Sequence, residues 1–374
     1  MNPRAETEQC RKIAIFTANM DGGGAERAMA KLAGGIAERG YDVDLVLSRA
    51  VGHYLEEVPA TVRIVDLGAS RVLASLPKFV GYLRRERPPG VITSMNYVNI
   101  VGVWARRLSR IKTVLVANEQ NTLSFETRNS PRRRHRAVGS LAGRFYPWAD
   151  AVAAVSQGVA DDLVREIHVP ADVVHVAFNP IITPALRAMA AEPLEHPWFR
   201  EAEPPVVVAV GRLAQQKDFG NLIRAFATVR TTRDARLMII GDGPERGALE
   251  AIVTETGMGD DVSLPGWISN PYPYMVRAGA YVLSSRWEGL PSVLVEALYC
   301  GPPTIATDCP SGPMEILAGG THGALVPVGD TPALAAAIGR ALVGEIARPS
   351  AESWQPYVQD AVVDRYLHLL GERP

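Results

Sequence analysis

Short apolar runs, each followed by a turn and a helix-like stretch, recur along the whole chain. The first, Ile13-Ala14-Ile15-Phe16, leads into the loop Asp21-Gly22-Gly23-Gly24. A helix-like stretch over 25–39 then stops at Gly40, and a second run occupies 42–47. Strand, glycine turn, helix, strand is the grammar of a parallel α/β unit. Further strands are predicted at 91–94, 113–117 and 151–155, with helices over 72–87 and 159–166 among them. Between 178 and 205 the pattern breaks, and Pro180, Pro184, Pro193, Pro197, Pro204 and Pro205 fall there, which marks a domain boundary. A second series follows, with strands at 206–210, 237–240, 262–264, 281–284 and 304–306. Helices over 221–230, 244–256, 292–300 and 331–342 separate or follow them. The expectation is two doubly wound sheets in tandem. Such sheets bind ligands beyond the carboxyl ends of their strands, so two facing sheets would enclose a cleft.

Composition narrows the function classes. With 47% apolar and 21% charged residues, 374 residues build large cores and are not disordered overall. Net charge is −1, but it is unevenly spread: +6 over residues 1–200 and −7 over 201–374. An anionic partner would therefore meet the first half. The cysteines Cys10, Cys300 and Cys309 give neither a disulfide framework nor metal-ligand spacing, and a reducing compartment is the simpler setting. The opening MNPRAETEQCRK lacks the apolar core of a signal peptide. The longest near-apolar stretch, 91–105, is interrupted by Asn96 and Asn99, so no transmembrane helix is expected.

Four segments carry chemistry. In Val210-Gly211-Arg212-Leu213-Ala214-Gln215-Gln216-Lys217-Asp218, Gly211 allows close backbone approach, and Arg212 and Lys217 add two fixed cations before a helix. That set suits a diphosphate, or else it is a solvated pair at a helix entry. Glu288 and Glu296 stand eight residues apart, one in a loop and one inside the following helix. Glu296 has apolar flanks, so a buried carboxylate there needs donors such as sugar or ribose hydroxyls. The N–H groups of Gly289, Leu290 and Ser292 open that helix and can hold a phosphate; the alternative is a surface glutamate and a helix acid. Gly22, Gly23 and Gly24 form either an anion-tolerant nest or a plain turn. The turn containing Gly266, Trp267 and Ile268 can offer its backbone to a nucleobase edge, or its tryptophan can be purely structural.

Other signals point away from function. Asp42 and Asp44 read as two solvent-facing carboxylates on a strand rather than a metal site. The seven histidines show no zinc spacing. Cys300 and Cys309 read as packing residues. A basic cluster comprising Arg128, Arg132, Arg133, Arg134 and Arg136 suits an anionic membrane surface or a phosphate. It lacks interleaved aromatics, so nucleic acid is not expected as a partner. Residues 72–83 form an amphipathic stretch expected to pack on its own sheet, with Arg84, Arg85 and Arg87 at its end.

In combination these segments resemble a known family. A glycine loop after the first strand, Gly-Arg-x4-Lys at Gly211 to Lys217, Gly241-Asp242-Gly243-Pro244 and Glu-x7-Glu occur in that order. With Ser285-Arg286-Trp287-Glu288-Gly289-Leu290-Pro291 and Thr307-Asp308-Cys309-Pro310-Ser311-Gly312-Pro313, the set resembles glycosyltransferase family 4, retaining enzymes of the GT-B fold, and its bacterial surface-glycan members most of all. The resemblance implies an α/β chain of two Rossmann-like doubly wound domains facing across a cleft. The expected boundaries are an acceptor-side domain at 1–180, a linker at 181–205, a nucleotide-sugar domain at 206–345, and a helical segment at 346–374 crossing back to the first domain.

Site roles follow from the same resemblance. Arg212 and Lys217 would bind the donor diphosphate, Glu288 would lie beside the donor sugar, and Glu296 would hold the ribose. Gly211, Gly289, Leu290 and Pro291 would supply backbone at sugar and phosphate, and Gly266, Trp267 and Ile268 would contact the base. Gly22, Gly23 and Gly24 would close on donor and acceptor. Many family members carry a histidine after a middle strand of the first domain. Here the segment reads Asn118-Glu119-Gln120-Asn121, and Asn118 or Glu119 is expected to fill that space.

The implied activity is retaining transfer of a hexose or N-acetylhexosamine from a UDP-sugar to a saccharide or polyprenyl-diphosphate-linked acceptor, without a metal or other cofactor. The implied location is cytoplasmic, peripheral on the inner face of the cytoplasmic membrane. The alternatives are a sugar-nucleotide hydrolase or epimerase on the same scaffold, and a noncatalytic nucleotide-sugar-binding subunit. Dependence on an acceptor separates the first from a transferase, and domain closure without turnover would favour the second.

Overall fold

A computed structural model describes residues 11–21, 23–129 and 138–372, with the side chains of residues 126, 128 and 129 left out. The chain divides into two compact units: 1–181 together with 357–374, and 182–356.

The first unit holds seven parallel strands: β1 (Lys12–Thr17), β2 (Asp42–Leu47), β3 (Val62–Asp66), β4 (Gly90–Ser94), β5 (Val114–Glu119), β6 (Ala151–Ala154) and β7 (Val174–Val176). They lie in the order β3-β2-β1-β4-β5-β6-β7. The strand order reverses between β1 and β4, as in a doubly wound sheet. Central strands such as Ile13–Phe16 and β4 are wholly buried, because helices cover both faces of a parallel sheet. The β3, β7 and 96–109 elements go beyond what the sequence pattern predicts. β3 and β7 are edge strands with exposed or half-buried residues and no continuous apolar run. The apolar window 91–105 is β4 running into helix Asn96–Ser109. Asn99 is fully buried there because its amide donates to Asn118 O at 2.8 Å and to the Tyr146 hydroxyl at 3.0 Å.

The amphipathic helix Leu76–Glu86 packs on its own sheet as expected, with Phe79 stacked on Phe16 at 4.1 Å. The expectation for Asp44 fails. Its carboxylate has no exposure and accepts from Arg63 at 2.7 and 2.5 Å and from the Tyr82 hydroxyl at 2.6 Å. Register places Arg63 beside Asp44 on the neighbouring strand, and helix Leu76–Glu86 supplies Tyr82. Asp42 does face solvent.

Glu86 belongs to the same cluster. It accepts from Lys12 at 2.9 Å, from Arg63 at 3.0 Å and from Arg85 at 3.0 Å, and these donors, Lys12 foremost, hold its carboxyl at about 2. A carboxyl with a depressed folded-state pKa stabilises the protein above its ordinary titration range. That contribution disappears as pH falls towards 2. Glu86→Gln is therefore expected to lower the urea midpoint at pH 7. The wild-type advantage should shrink below the ordinary carboxylate range and close near pH 2; a gap independent of pH would reject the linkage.

Helix Gln359–Leu369 joins the first unit. Val362, Val363, Tyr366 and Leu367 enter its core beside Ile13 and Ile36. Arg39 pairs with Asp364 at 2.6 Å and Asp360 at 3.1 Å.

The second unit holds six parallel strands: β8 (Val206–Val210), β9 (Arg236–Ile240), β10 (Val262–Gly266), β11 (Ala280–Leu283), β12 (Thr304–Thr307) and β13 (Ala324–Val326), in the order β10-β9-β8-β11-β12-β13. The strand order again reverses, between β8 and β11. The boundaries differ from those expected, since residues 182–205 and 346–356 belong to this unit rather than to a linker and a crossing segment. Side chains fasten both stretches. Asn270 donates to Met189 O at 2.9 Å, Arg236 pairs with Glu203 at 2.8 Å and lies over the Trp198 ring, and Trp354 meets Tyr299 edge-on.

Candidate active site

The strand-order reversal at β8 and β11 puts the loops that leave these two strands side by side. The β8 loop runs from Gly211 to Asp218. Gly211 N donates to Ile240 O at 3.0 Å, and Leu213 N donates to Asp242 O at 2.9 Å, which seats this loop on the turn after β9. Gly241 in that turn has φ +146, and a Cβ there would fall 1.9 Å from Gly211 O, so only glycine allows the two backbones this close. Gly211 itself lies under Lys217; an added Cβ would meet Lys217 Cε at 3.3 Å.

The β11 loop, Ser284 to Pro291, brings Glu288 to Lys217. Lys217 Nζ donates to Glu288 Oε1 at 2.6 Å, with the two side chains only 15% and 8% exposed. Ser285 Oγ donates to the same oxygen at 2.5 Å. The Gln216 amide donates to Trp287 O at 2.8 Å and to Glu288 Oε2 at 3.4 Å. The Glu288 backbone is fixed as well: its N–H donates to Pro310 O at 2.7 Å, and its carbonyl accepts from Ser311 N at 2.9 Å. Arg212 shares the β8 loop, is exposed, and has no ion-pair partner among the described residues. The structure thus brings Lys217 and Glu288 together and leaves Arg212 in solvent.

Glu296 lies inside helix Ser292–Cys300, 6% exposed, and accepts from the Tyr272 hydroxyl at 3.2 Å. That hydroxyl is a donor the sequence did not reveal. Gly289 and Leu290 are half-buried in the approach to the helix, and Pro291 is its buried N-cap residue. Gly266 has φ +91 and accepts from Gly241 N at 2.8 Å; beyond it Trp267 is 76% exposed and Ile268 is half-buried. The β8, β9 and β10 loops are therefore hydrogen-bonded in series along the carboxyl edge of the sheet.

Both described cysteines are packing residues, as expected. Burial pushes the Cys300 and Cys309 thiols up to about 12. Among the described residues no group of three or more His, Cys, Asp or Glu side chains is arranged to hold a metal ion.

In the first unit, Gly23 and Gly24 mark the start of helix Gly24–Glu38, while Gly22 lies outside the described residues. Glu26 in the first turn is buried, and burial raises its pKa; the sequence did not single it out. Asn118 and Glu119 end β5 with no exposure. Asn118 donates to the Tyr366 hydroxyl at 2.6 Å and accepts from Ser94 at 3.1 Å, and Glu119 accepts from the Tyr146 hydroxyl at 2.6 Å. Both side chains are held by hydrogen bonds at the end of β5, and neither is presented to solvent. Arg132, Arg133, Arg134 and Arg136, and the Arg128 side chain, fall outside the described residues.

Comparison with known proteins agrees with this arrangement. The family model for Glycosyltransferase Family 4 matches residues 22–183, and that for Glycosyl transferases group 1 matches 193–360. N-acetylgalactosamine-N,N'-diacetylbacillosaminyl-diphospho-undecaprenol 4-alpha-N-acetylgalactosaminyltransferase of Campylobacter jejuni is 30% identical over 334 residues, covering 85% of this chain and 86% of that protein. The lipopolysaccharide core biosynthesis glycosyltransferase LpsE of Rhizobium meliloti is 26% identical, covering 97% of this chain and all of its own length. Among solved structures, HepE of Anabaena in complex with UDP shares the two-domain fold, with a TM-score of 0.76 at 21% identity over 96% of this chain and 99% of that one. With both units matched by family models and a 30% identical relative aligned over most of its length, the chain belongs to glycosyltransferase family 4, enzymes of sugar transfer built on the GT-B fold.

Proposed function

We propose that this enzyme moves a hexosyl or N-acetylhexosaminyl group from a UDP-sugar to a saccharide carried on a lipid diphosphate, with retention and without a metal ion, during assembly of a bacterial surface glycan. The observation that carries this reading is the buried Lys217–Glu288 pair at 2.6 Å, at the carboxyl ends of β8 and β11. A donor diphosphate entering there meets a fixed ammonium on its phosphate side and a fixed carboxylate for sugar hydroxyls. Glu296, already held by Tyr272, is the acceptor for ribose hydroxyls. The names of the relatives support the substrate classes: one acts on a diphospho-undecaprenol-linked saccharide, another in lipopolysaccharide core biosynthesis, and HepE was solved with UDP.

The bond between the sugar's anomeric carbon and the diphosphate oxygen breaks while negative charge grows on the leaving phosphate. Lys217 and Arg212 neutralise that charge, which stabilises the transition state more than the ground state. The acceptor oxygen bonds to the anomeric carbon from the side the diphosphate leaves, and its proton passes to a phosphate oxygen. Two protein cations take the part a divalent ion plays elsewhere. Among the described residues no helix is long and apolar enough to cross a membrane. In this reading the lipid-linked acceptor is met at the cytoplasmic face, and the cluster at Arg128, Arg132, Arg133, Arg134 and Arg136 is the proposed contact with anionic lipid.

The test is incubation of the purified protein, in excess EDTA, with a panel of UDP- and GDP-sugars and a polyprenyl-diphosphate-linked saccharide. The expected product is an acceptor heavier by one sugar, α-linked by NMR. Sugar release without an acceptor would replace the transferase with a hydrolase. A β-linkage would remove retention, and activity restored only by Mn²⁺ would remove the metal-free step.

A further inference from the structure

Beside Lys217 and Glu288 lies an ion pair that neither residue belongs to. Asp218, next to Lys217, forms a two-pronged pair with Arg286, two residues before Glu288: Arg286 Nε to Asp218 Oδ2 is 3.0 Å, and Nη2 to Oδ1 is 3.1 Å. Asp218 is 10% exposed on its side chain and Arg286 is 54% exposed, so the link runs from a buried anchor to the rim of the site. The carboxylate also raises the guanidinium's pKa, as expected for a planar two-bond pair.

The backbone explains why such an anchor is placed there. Asp218 has φ 47 and ψ 41, a left-handed conformation that side chains other than those of Gly, Asn and Asp rarely adopt. This reversal ends the short turn Gln215–Lys217 and starts helix Phe219–Arg230, so it fixes how the turn that carries Lys217 joins the helix. Two further bonds tie the same stretches: Arg286 N donates to Gln216 O at 2.7 Å, and Ser284 Oγ donates to Lys217 O at 2.7 Å.

We infer that Asp218 and Arg286 are positioning residues that hold the β8 and β11 loops in register while Lys217 exchanges Glu288 for the donor diphosphate. The inference deepens the proposed reading and rests on it for its catalytic consequence. Without this second link, the Lys217–Glu288 pair would be the only ion pair between the two loops among the described residues, and a ligand that drew Lys217 away would leave the loops joined by hydrogen bonds alone. With it, the ammonium changes partner while its base stays still. A misplacement of about 1 Å at such a site costs up to roughly 100-fold in rate.

Two measurements on full-length protein decide the matter. The first needs no substrate. The five lysines are labelled by reductive ¹³C-methylation, and the Lys217 resonance is assigned with Lys217→Ala. In wild type it should stand apart from the solvent-exposed lysines; in Asp218→Asn, which keeps the left-handed turn, and in Arg286→Gln it should move towards them. A Lys217 resonance unchanged in both variants overturns the inference whether or not the protein transfers sugar. The second measurement is steady-state kinetics with a donor and acceptor that wild type accepts. Each single variant should lose about 10-fold to 100-fold, mainly in kcat rather than donor KM. The double variant should lose no more than either single one, and Arg286→Lys should recover part of the loss. Losses that multiply in the double variant would mean Arg286 meets the donor directly, and that also overturns it. Absence of turnover by wild type counts against the transferase reading alone, because the resonance still reports the pair.

Discussion

Lys217→Ala is expected to lower kcat/KM for the sugar donor by about 10²–10³-fold, on the order of 3–4 kcal/mol of transition-state stabilisation. The size follows from where the ammonium stands. It is 15% exposed and faces a carboxylate that is 8% exposed, so water screens it little and it needs no reorganisation as charge grows on the leaving diphosphate. Removing it does not dismantle the loop, because Ser285 and Gln216 still donate to Glu288. The loss should therefore appear in turnover measured well below the melting temperature, which itself falls because Glu288 is left buried without its cation. Arg212→Ala should cost less, since Arg212 is exposed and its charge is screened by solvent and salt. A Lys217→Ala enzyme within about twofold of wild type in kcat/KM would remove Lys217 from the diphosphate role.

The second large effect is on stability. Asp44→Ala should destabilise the first unit by about 1–3 kcal/mol, the cost of stranding a buried donor, because Arg63 is half exposed and keeps Glu86. Asp44 has no exposure, and its loss strands the Tyr82 hydroxyl, which is 1% exposed, and takes from Arg63 two of its bonds. Asp44→Asn keeps an acceptor for Tyr82 and should cost less. Urea denaturation followed by tryptophan fluorescence measures both variants. A change within about 0.5 kcal/mol for Asp44→Ala, the scale of ordinary surface substitutions, would show that the cluster relaxes around the gap. Transfer activity at low temperature should survive, because Asp44 lies in a cluster remote in sequence and in bonding from the β8 and β11 loops.

The elements legible in the amino-acid sequence are those with strong local patterning. Val206–Val210 and Arg236–Ile240 are legible because a strand covered on both faces is apolar nearly throughout. Edge strands β3 and β7 are not, since one side of each is open and their residues are mixed. Lys217 and Glu288 could be nominated from residue type and the order of motifs. The parts played by Gln216, Asp218, Arg286 and Tyr272 could not, because each depends on a partner far away in the chain. The burial of Asn118 and Glu119 is not legible either, because their partners, Tyr366 and Tyr146, come from distant elements.

The chain alone settled the alternation of strands and helices, the presence of two doubly wound units, and the chemical kinds of residue at the ends of their strands, because each depends on neighbours a few positions away. Tertiary structure decided which charges meet. Lys217 and Glu288 are 71 residues apart, and Asp44 and Tyr82 are 38 apart. Such pairs form only once strand order has put β8 beside β11 and a helix has been laid over β2. Burial then multiplies the strength of each contact by removing the water that would screen it.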